Sequence, residues 1–284
     1  MKAFILGCGY LGRRVADRWV AAGHEVTALT RSPSNAEMLR HAGVVPMLGD
    51  VTNTSSLANL PSVDVVLYAV GYDRTSGDRR SVVVEGLHHA LQSLQDKTER
   101  LVFISTSSVY GQTGGEWVDE ASSTMPTSEG GQIALEAEEL VRSAGIPCTV
   151  TLRLAGLYGP DRLLRRVEQM RAGEPLSGAG DAWLNLIHVD DAAMTAVSAA
   201  ERLMSRELIA MTYLVCDDRP VLRRQYYEYL AKLTNSPPPT FDDTAHARIA
   251  GLGKRCRNDA AKRDFELTLA FPTFRKGLSD AWER

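Results

Sequence analysis

Gly7, Gly9 and Gly12 carry the most chemically specific spacing in this chain. They lie in Gly7-Cys8-Gly9-Tyr10-Leu11-Gly12, directly after the apolar run Ala3-Phe4-Ile5-Leu6 and before a helix-compatible stretch reaching Ala21. In a strand–turn–helix corner of this kind the first glycine permits a tight turn. The second lets the backbone approach a diphosphate, and the third lets the helix pack closely on the strand. The unpaired N–H groups of the helix start, contributed by Tyr10, Leu11 and Gly12, together with the helix dipole favour an anion there. The spacing therefore predicts a dinucleotide site.

Holding such a corner in place requires an alternation of strands and helices, and the sequence supplies one. Further strands are expected at 24–29, 44–48, 63–69, 101–104 and 148–152, with helices at 81–94 and 133–143. Val83, Leu87, Ala90, Leu91 and Leu94 follow one helical face. Apolar strands separated by helices imply an α/β fold with a doubly wound parallel sheet of the Rossmann type, which gathers its ligands at the carboxyl ends of the strands. Beyond residue 155 the alternation loosens into helices at 161–171, 190–204 and 221–233 and a strand at 211–216. The expected organisation is a nucleotide-binding domain over 1–155 that also receives about 186–216. A smaller C-terminal lobe over 156–185 and 217–284 would carry substrate specificity.

The end of the second expected strand bears on cofactor choice. It reads Leu29-Thr30-Arg31-Ser32, without the carboxylate that would bond a ribose 2′-hydroxyl. Thr30, Arg31 and Ser32 suit a 2′-phosphate instead, with Arg31 a planar multidentate donor, so NADP(H) is expected over NAD(H). The competing reading makes Arg31 a solvated surface residue. Asp50, followed by Val51 at the end of the third strand, is placed to accept from the adenine amino group. Ala69, Val70 and Gly71 are small enough to let the cofactor lie against the sheet edge.

Composition narrows the class. Hydrophobic residues make up 44% of the 284 residues and charged residues 24%, as in ordinary globular proteins, and the net charge of -3 argues against a nucleic-acid or anionic-membrane partner. Cys8, Cys148, Cys216 and Cys256 lack metal-ligand spacing, so no metal is expected and buried thiols are. With no export signal or spanning run in view, a cytoplasmic setting is expected.

At the fifth strand the chain reads Phe103-Ile104-Ser105-Thr106-Ser107-Ser108-Val109-Tyr110-Gly111. Together with the glycine turn this resembles the extended short-chain dehydrogenase/reductase superfamily, in its nucleotide-sugar epimerase/dehydratase group. Leu152 to Pro160, Ile187-His188-Val189-Asp190-Asp191-Ala192-Ala193, and the Phe271-Pro272 to Gly277-Leu278 tail extend the resemblance over nearly the whole chain. It implies a small-molecule substrate and a homodimer through the helices at 81–94 and 133–143. It also implies that Thr106 bonds the reacting oxygen, and that Ser107, Ser108, Tyr158 and Arg162 lie near the substrate.

Two departures stand out. The group's glycine loop usually carries one more residue between its first two glycines. Its chemistry also rests on a Tyr and a Lys four positions later, the Lys lowering the phenol from its usual pKa of about 10 so that it can exchange a proton. The corresponding helix here reads Gly130-Gly131-Gln132-Ile133-Ala134, which puts Gly130 and Ala134 at those two positions, and no Tyr-x-x-x-Lys occurs anywhere. Two functions therefore stay open: an NAD(P)-dependent oxidoreductase or epimerase acting on a hydroxyl or carbonyl, and a non-catalytic NADP(H)-binding redox sensor. Thr106 likewise reads either as a substrate ligand or as a cap of its own loop. His188 and Asp190 read as structural, with Asp190 a helix cap.

Overall fold

The computed structural model describes residues 1–72, 78–204, 209–241 and 252–284. In chain order its elements begin β1 (Lys2–Leu6), α1 (Tyr10–Ala21), β2 (Glu25–Thr30), α2 (Pro33–His41), β3 (Val45–Leu48), β4 (Val65–Tyr68), α3 (Gly86–Leu94) and β5 (Arg100–Thr106). There follow β6 (Gly114–Val118), α4 (Glu129–Ser143), β7 (Cys148–Leu154), β8 (Gly156–Tyr158), α5 (Leu164–Arg171), β9 (Trp183–Leu184) and β10 (Leu186–His188). The last are α6 (Val189–Met204), β11 (Ile209–Val215), β12 (Val221–Leu222), α7 (Arg223–Leu233), β13 (Gly253–Cys256), α8 (Asp259–Asp264) and α9 (Phe274–Glu283). The chain divides into two compact units. The first comprises Met1–Val109, Pro126–Arg153 and Ala193–Tyr213, and the second Tyr110–Met125, Leu154–Ala192 and Leu214–Arg284.

The first unit is built on a seven-stranded sheet in the order β11-β7-β5-β4-β1-β2-β3. The β1–β2, β1–β4, β2–β3 and β4–β5 pairings are all parallel. Strand order runs outward from β1 to β3 and then returns past β1 to β4. That reversal opens a crevice at the carboxyl ends of β1 and β4. Phe4, Ile5, Leu6 and all four residues of β4 are buried, as expected of strands covered on both faces. Phe4, Leu6, Leu57, Leu87, Leu94 and Leu101 belong to one apolar cluster. The fold is the α/β doubly wound arrangement expected from the sequence.

Helix α4 matters most for the site. Ile133, Ala137 and Val141 repeat every four residues on its buried face. A buried polar link adds to this packing: Arg153 of β7 donates from Nε and Nη2 to Glu138 at 3.0 and 2.7 Å, and the Ser105 hydroxyl of β5 donates to Glu138 at 2.6 Å. Removing Arg153 or Glu138 would strand a buried charge, so the link fixes α4 against β5 and β7. Sequence reasoning did not anticipate it.

Element boundaries moved where capping or turn conformation overrode periodicity. Helix α4 starts one turn before the expected residue 133, because the Ser128 hydroxyl caps it by accepting the Gly131 N–H at 3.2 Å. The helix expected at 161–171 begins at Leu164 instead, since Asp161 adopts a φ of 69°. The stretch 81–94 is divided, with a π-helical turn over Ser81–Glu85 leading into α3. Asp190 does not cap α6; it lies inside the first turn and pairs with Arg284 at 2.7 Å.

The second unit holds three two-stranded pairs, β10–β8, β12–β9 and β13–β6. Tyr158, Leu163, Val167, Tyr226, Leu230, Phe274 and Leu278 share its apolar cluster. All four cysteines are buried, and none is in a disulfide. Among the described residues no helix is long and apolar enough to cross a membrane.

Candidate functional site

The three glycines of the first turn do different physical work. Gly7 has a φ of 90°, and a Cβ there would overlap the backbone of Ala69 and lie 2.5 Å from the Val70 nitrogen. It lets the ends of β1 and β4 come together, where the Ala69 N–H donates to the Leu6 carbonyl at 2.7 Å. A Cβ on Gly12 would sit 2.5 Å from the Gly7 carbonyl oxygen, so Gly12 seats α1 on the turn. Gly9 differs: among the described residues, its chain neighbours aside, nothing lies within 4 Å of the place its Cβ would take. Packing does not require a glycine at that point.

Gly9 is also the N-cap of α1, and no side chain caps that helix. In contrast, Ser32 caps α2 by accepting the Asn35 N–H, and Ser128 caps α4. The first-turn N–H groups of Tyr10, Leu11 and Gly12 thus form an anion-favouring end beside open space. The arrangement fits a dinucleotide diphosphate. Next to it, Cys8 is held inert, because burial pushes its thiol up to about 12.

At the end of β2, Arg31 lies 3.8 Å from Asp50, so two residues assigned separately to the 2′-position and to adenine are neighbours. Arg31 is 57% exposed. Asp50 already accepts from the Thr52 N–H and hydroxyl at 2.9 and 2.8 Å through Oδ1. Arg13, which the sequence did not single out, donates to Asn35 at 2.7 Å and ties α1 to α2 beside Ser32. Val51 is buried and packs on α3, where a Cβ at Gly86 would lie 2.7 Å from its methyl group. Ala69 and Val70 are half-buried and Gly71 is exposed at the crevice edge.

Thr106 ends β5 half-buried. Its hydroxyl accepts the Ser108 N–H and donates to the Ser108 hydroxyl, both at 3.1 Å. It therefore caps its loop, and Ser107 and Ser108 follow in a single 3-10 turn. That turn carries the start of α4: a Cβ on Gly131 would overlap the Ser108 carbonyl oxygen and lie 2.7 Å from Pro126. Gly130 behaves otherwise. Its backbone is not left-handed, and among the described residues outside its own helix turn a Cβ would meet Nη1 and Cζ of Arg79, with Cζ at 3.5 Å. The Arg79 guanidinium in turn lies over the Tyr72 ring, 4.8 Å from its centroid. Ala134, one turn further along α4, is buried. Neither Arg79 nor Tyr72 was singled out from the sequence, because each lacks a motif and they meet only through the fold.

In the second unit the expected substrate residues separate. Tyr158 is 3% exposed, its hydroxyl abuts the position a Gly277 side chain would take, and its ring meets His188 edge-on at 5.3 Å. It packs within the apolar cluster of the second unit. Arg162 is exposed. His188 is fully buried and stacks on Phe271 at 3.9 Å. Asp217 is 2% exposed, and burial pushes its carboxyl up to about 8.

Comparison with known proteins agrees with this architecture. Residues 3–209 match the model of the NAD dependent epimerase/dehydratase family. Protein YeeZ of Escherichia coli (strain K12) is 27% identical over 259 residues, covering 89% of this chain and 90% of that protein. A 2-alkyl-3-oxoalkanoate reductase of Shewanella oneidensis is 26% identical over 264 residues, covering 84% of this chain and 67% of the reductase. The structure of a functionally unknown conserved protein from Silicibacter pomeroyi DSS superposes with a TM-score of 0.78 at 27% identity, covering 99% of this chain and 98% of that one. With a crevice at the strand reversal, an uncapped helix start at Gly9 and a family match over most of its length, the chain belongs to the NAD dependent epimerase/dehydratase family.

Proposed function

We propose that the chain is a nicotinamide-dinucleotide-dependent oxidoreductase or epimerase acting on a hydroxyl or carbonyl group of a small polar substrate, with NADP(H) its preferred cofactor. The observation that carries this reading is the contrast between Gly7 and Gly9. One is demanded by packing, and the other opens onto space at an anion-favouring helix start. The family match and the reductase relative support the class of reaction.

In this reading Gly9 and the N–H groups of Tyr10, Leu11 and Gly12 hold the diphosphate. Thr30, Arg31 and Ser32 receive the 2′-phosphate, with Asp50 steadying Arg31 from 3.8 Å and accepting from the adenine amino group. Val51, Ala69, Val70 and Gly71 line the cofactor's path along the strand ends. When bound, the nicotinamide ring supplies or accepts a hydride. Thr106 orients the substrate oxygen by exchanging its Ser108 partner for it, and Ser107 and Ser108 flank that oxygen. A second reading, an NADP(H)-binding sensor without turnover, is favoured by Gly130 and Ala134 at the positions the resemblance gives to Tyr and Lys.

The test is a fluorescence titration of the chain with NADPH and with NADH. NADPH binds more tightly, and Arg31→Ala weakens NADPH about tenfold, roughly 1.4 kcal/mol, with little change for NADH. Equal affinity of the unmodified chain for the two would overturn the 2′-phosphate assignment. Failure to bind either would overturn the whole reading.

A further inference from the structure

Hydride addition to a carbonyl places negative charge on an oxygen, and a site that does this needs a cation or an acid facing its substrate. Positions 130 and 134 offer neither, since they are Gly and Ala. Yet the space beside position 130 is filled. Arg79 reaches into it from the segment before the π-helical turn, and its Nη1 would overlap the first carbon of a side chain at 130, with Cζ 3.5 Å from that carbon.

We propose that Arg79 is the anion-holding residue of this site and that the substrate presents a carboxylate to it. The inference rests on the oxidoreductase reading above and deepens it by naming a substrate class. Three observations lead to it. First, the backbone of Gly130 has ordinary right-handed geometry, so conformation does not demand a glycine; the physical effect of the missing side chain is to seat the guanidinium. Second, the Tyr72 ring covers one face of that guanidinium. A guanidinium held over a ring face keeps N–H groups with which to recognise a planar carboxylate. Third, Arg79 stands at the meeting of the elements that form the crevice. Tyr72 follows Gly71 at the end of β4, and Gly130 opens α4. Next to Gly130, Gly131 rests on the Ser108 carbonyl, and Ser108 is hydrogen-bonded to Thr106. The adjacent Arg80 makes a useful contrast, because its charge is met by Glu85 and Glu136. Among the described residues no carboxylate forms an ion pair with Arg79, which leaves its guanidinium for a ligand.

The test uses oxalate as a small planar carboxylate probe, titrated into the full chain and followed through the Arg79 Nε–H resonance, which is assigned by its disappearance in Arg79→Lys. Oxalate shifts that resonance saturably. Arg79→Ala weakens oxalate at least tenfold, Arg79→Lys recovers part of the loss, and cofactor affinity stays within twofold in both. Gly130→Ala, which the backbone accepts, pushes the guanidinium out of its seat and weakens oxalate as Arg79→Ala does, although no charge has been removed. An unmoved Arg79 resonance, or unchanged oxalate affinity in either Arg79→Ala or Gly130→Ala, overturns the proposal. The two readings fail separately. Dinucleotide binding without an oxalate response at Arg79 removes the anion site alone, and an oxalate response without dinucleotide binding removes the oxidoreductase reading.

Discussion

Two helices of the first unit begin with glycines, and the two beginnings are built differently. At the start of α1, Gly7 and Gly12 relieve contacts with backbone, while Gly9 opens onto space. At the start of α4, Gly131 relieves a contact with the Ser108 backbone, while Gly130 relieves one with the far end of a flexible side chain, Arg79. Each start thus pairs glycines that the fold requires with one that it does not. At α1 the unrequired glycine leaves room for a ligand. At α4 it leaves room for a guanidinium. Where packing does not demand a glycine, what occupies the adjoining space bears on why one is there.

Alanine substitutions rank this difference, with stability read by urea denaturation. Gly7→Ala should cost most, roughly 3–5 kcal/mol, because it combines a left-handed backbone with overlap of an immovable strand end. Gly131→Ala should cost about 2–3 kcal/mol, since its backbone is ordinary but the Ser108 carbonyl must shift. Gly130→Ala should change stability by less than about 1 kcal/mol, because Arg79 can swing aside. A Gly130→Ala loss as large as that of Gly131→Ala would show that Arg79 is locked in place and would erase the distinction between the two glycines. Placing a Tyr at position 130 would meet the same guanidinium, so restoring the Tyr and Lys of the resemblance also requires Arg79 to move.

The sheet was legible because its strands are continuous apolar runs, and the α1 corner because all of its logic lies within six residues. Thr106 was legible as the end of β5. Helix α2 carried readable signals, Ser32 as cap and Pro33 in the first turn, but its weak apolar periodicity hid it. The Glu138–Arg153–Ser105 link and the Arg79–Tyr72 pair were not legible. Their members are 15, 33 and 7 residues apart and are joined only by the packing of α4 on its strands and by the turn after β4. The burial of Tyr158 against Gly277 was not legible either, because its neighbour lies more than a hundred residues away in the chain. Local chemistry can be read from spacing, whereas chemistry assembled from distant segments needs the fold.

The central claim is that Gly9 is open for a dinucleotide and serves no packing purpose. It is tested most directly by measuring NADPH affinity and thermal stability together in Gly9→Ala. NADPH affinity should fall by roughly a hundredfold or more as the methyl blocks the diphosphate, while the unfolding midpoint reports that the chain still folds. A Gly9→Ala chain that binds NADPH as well as the unmodified one would contradict the account.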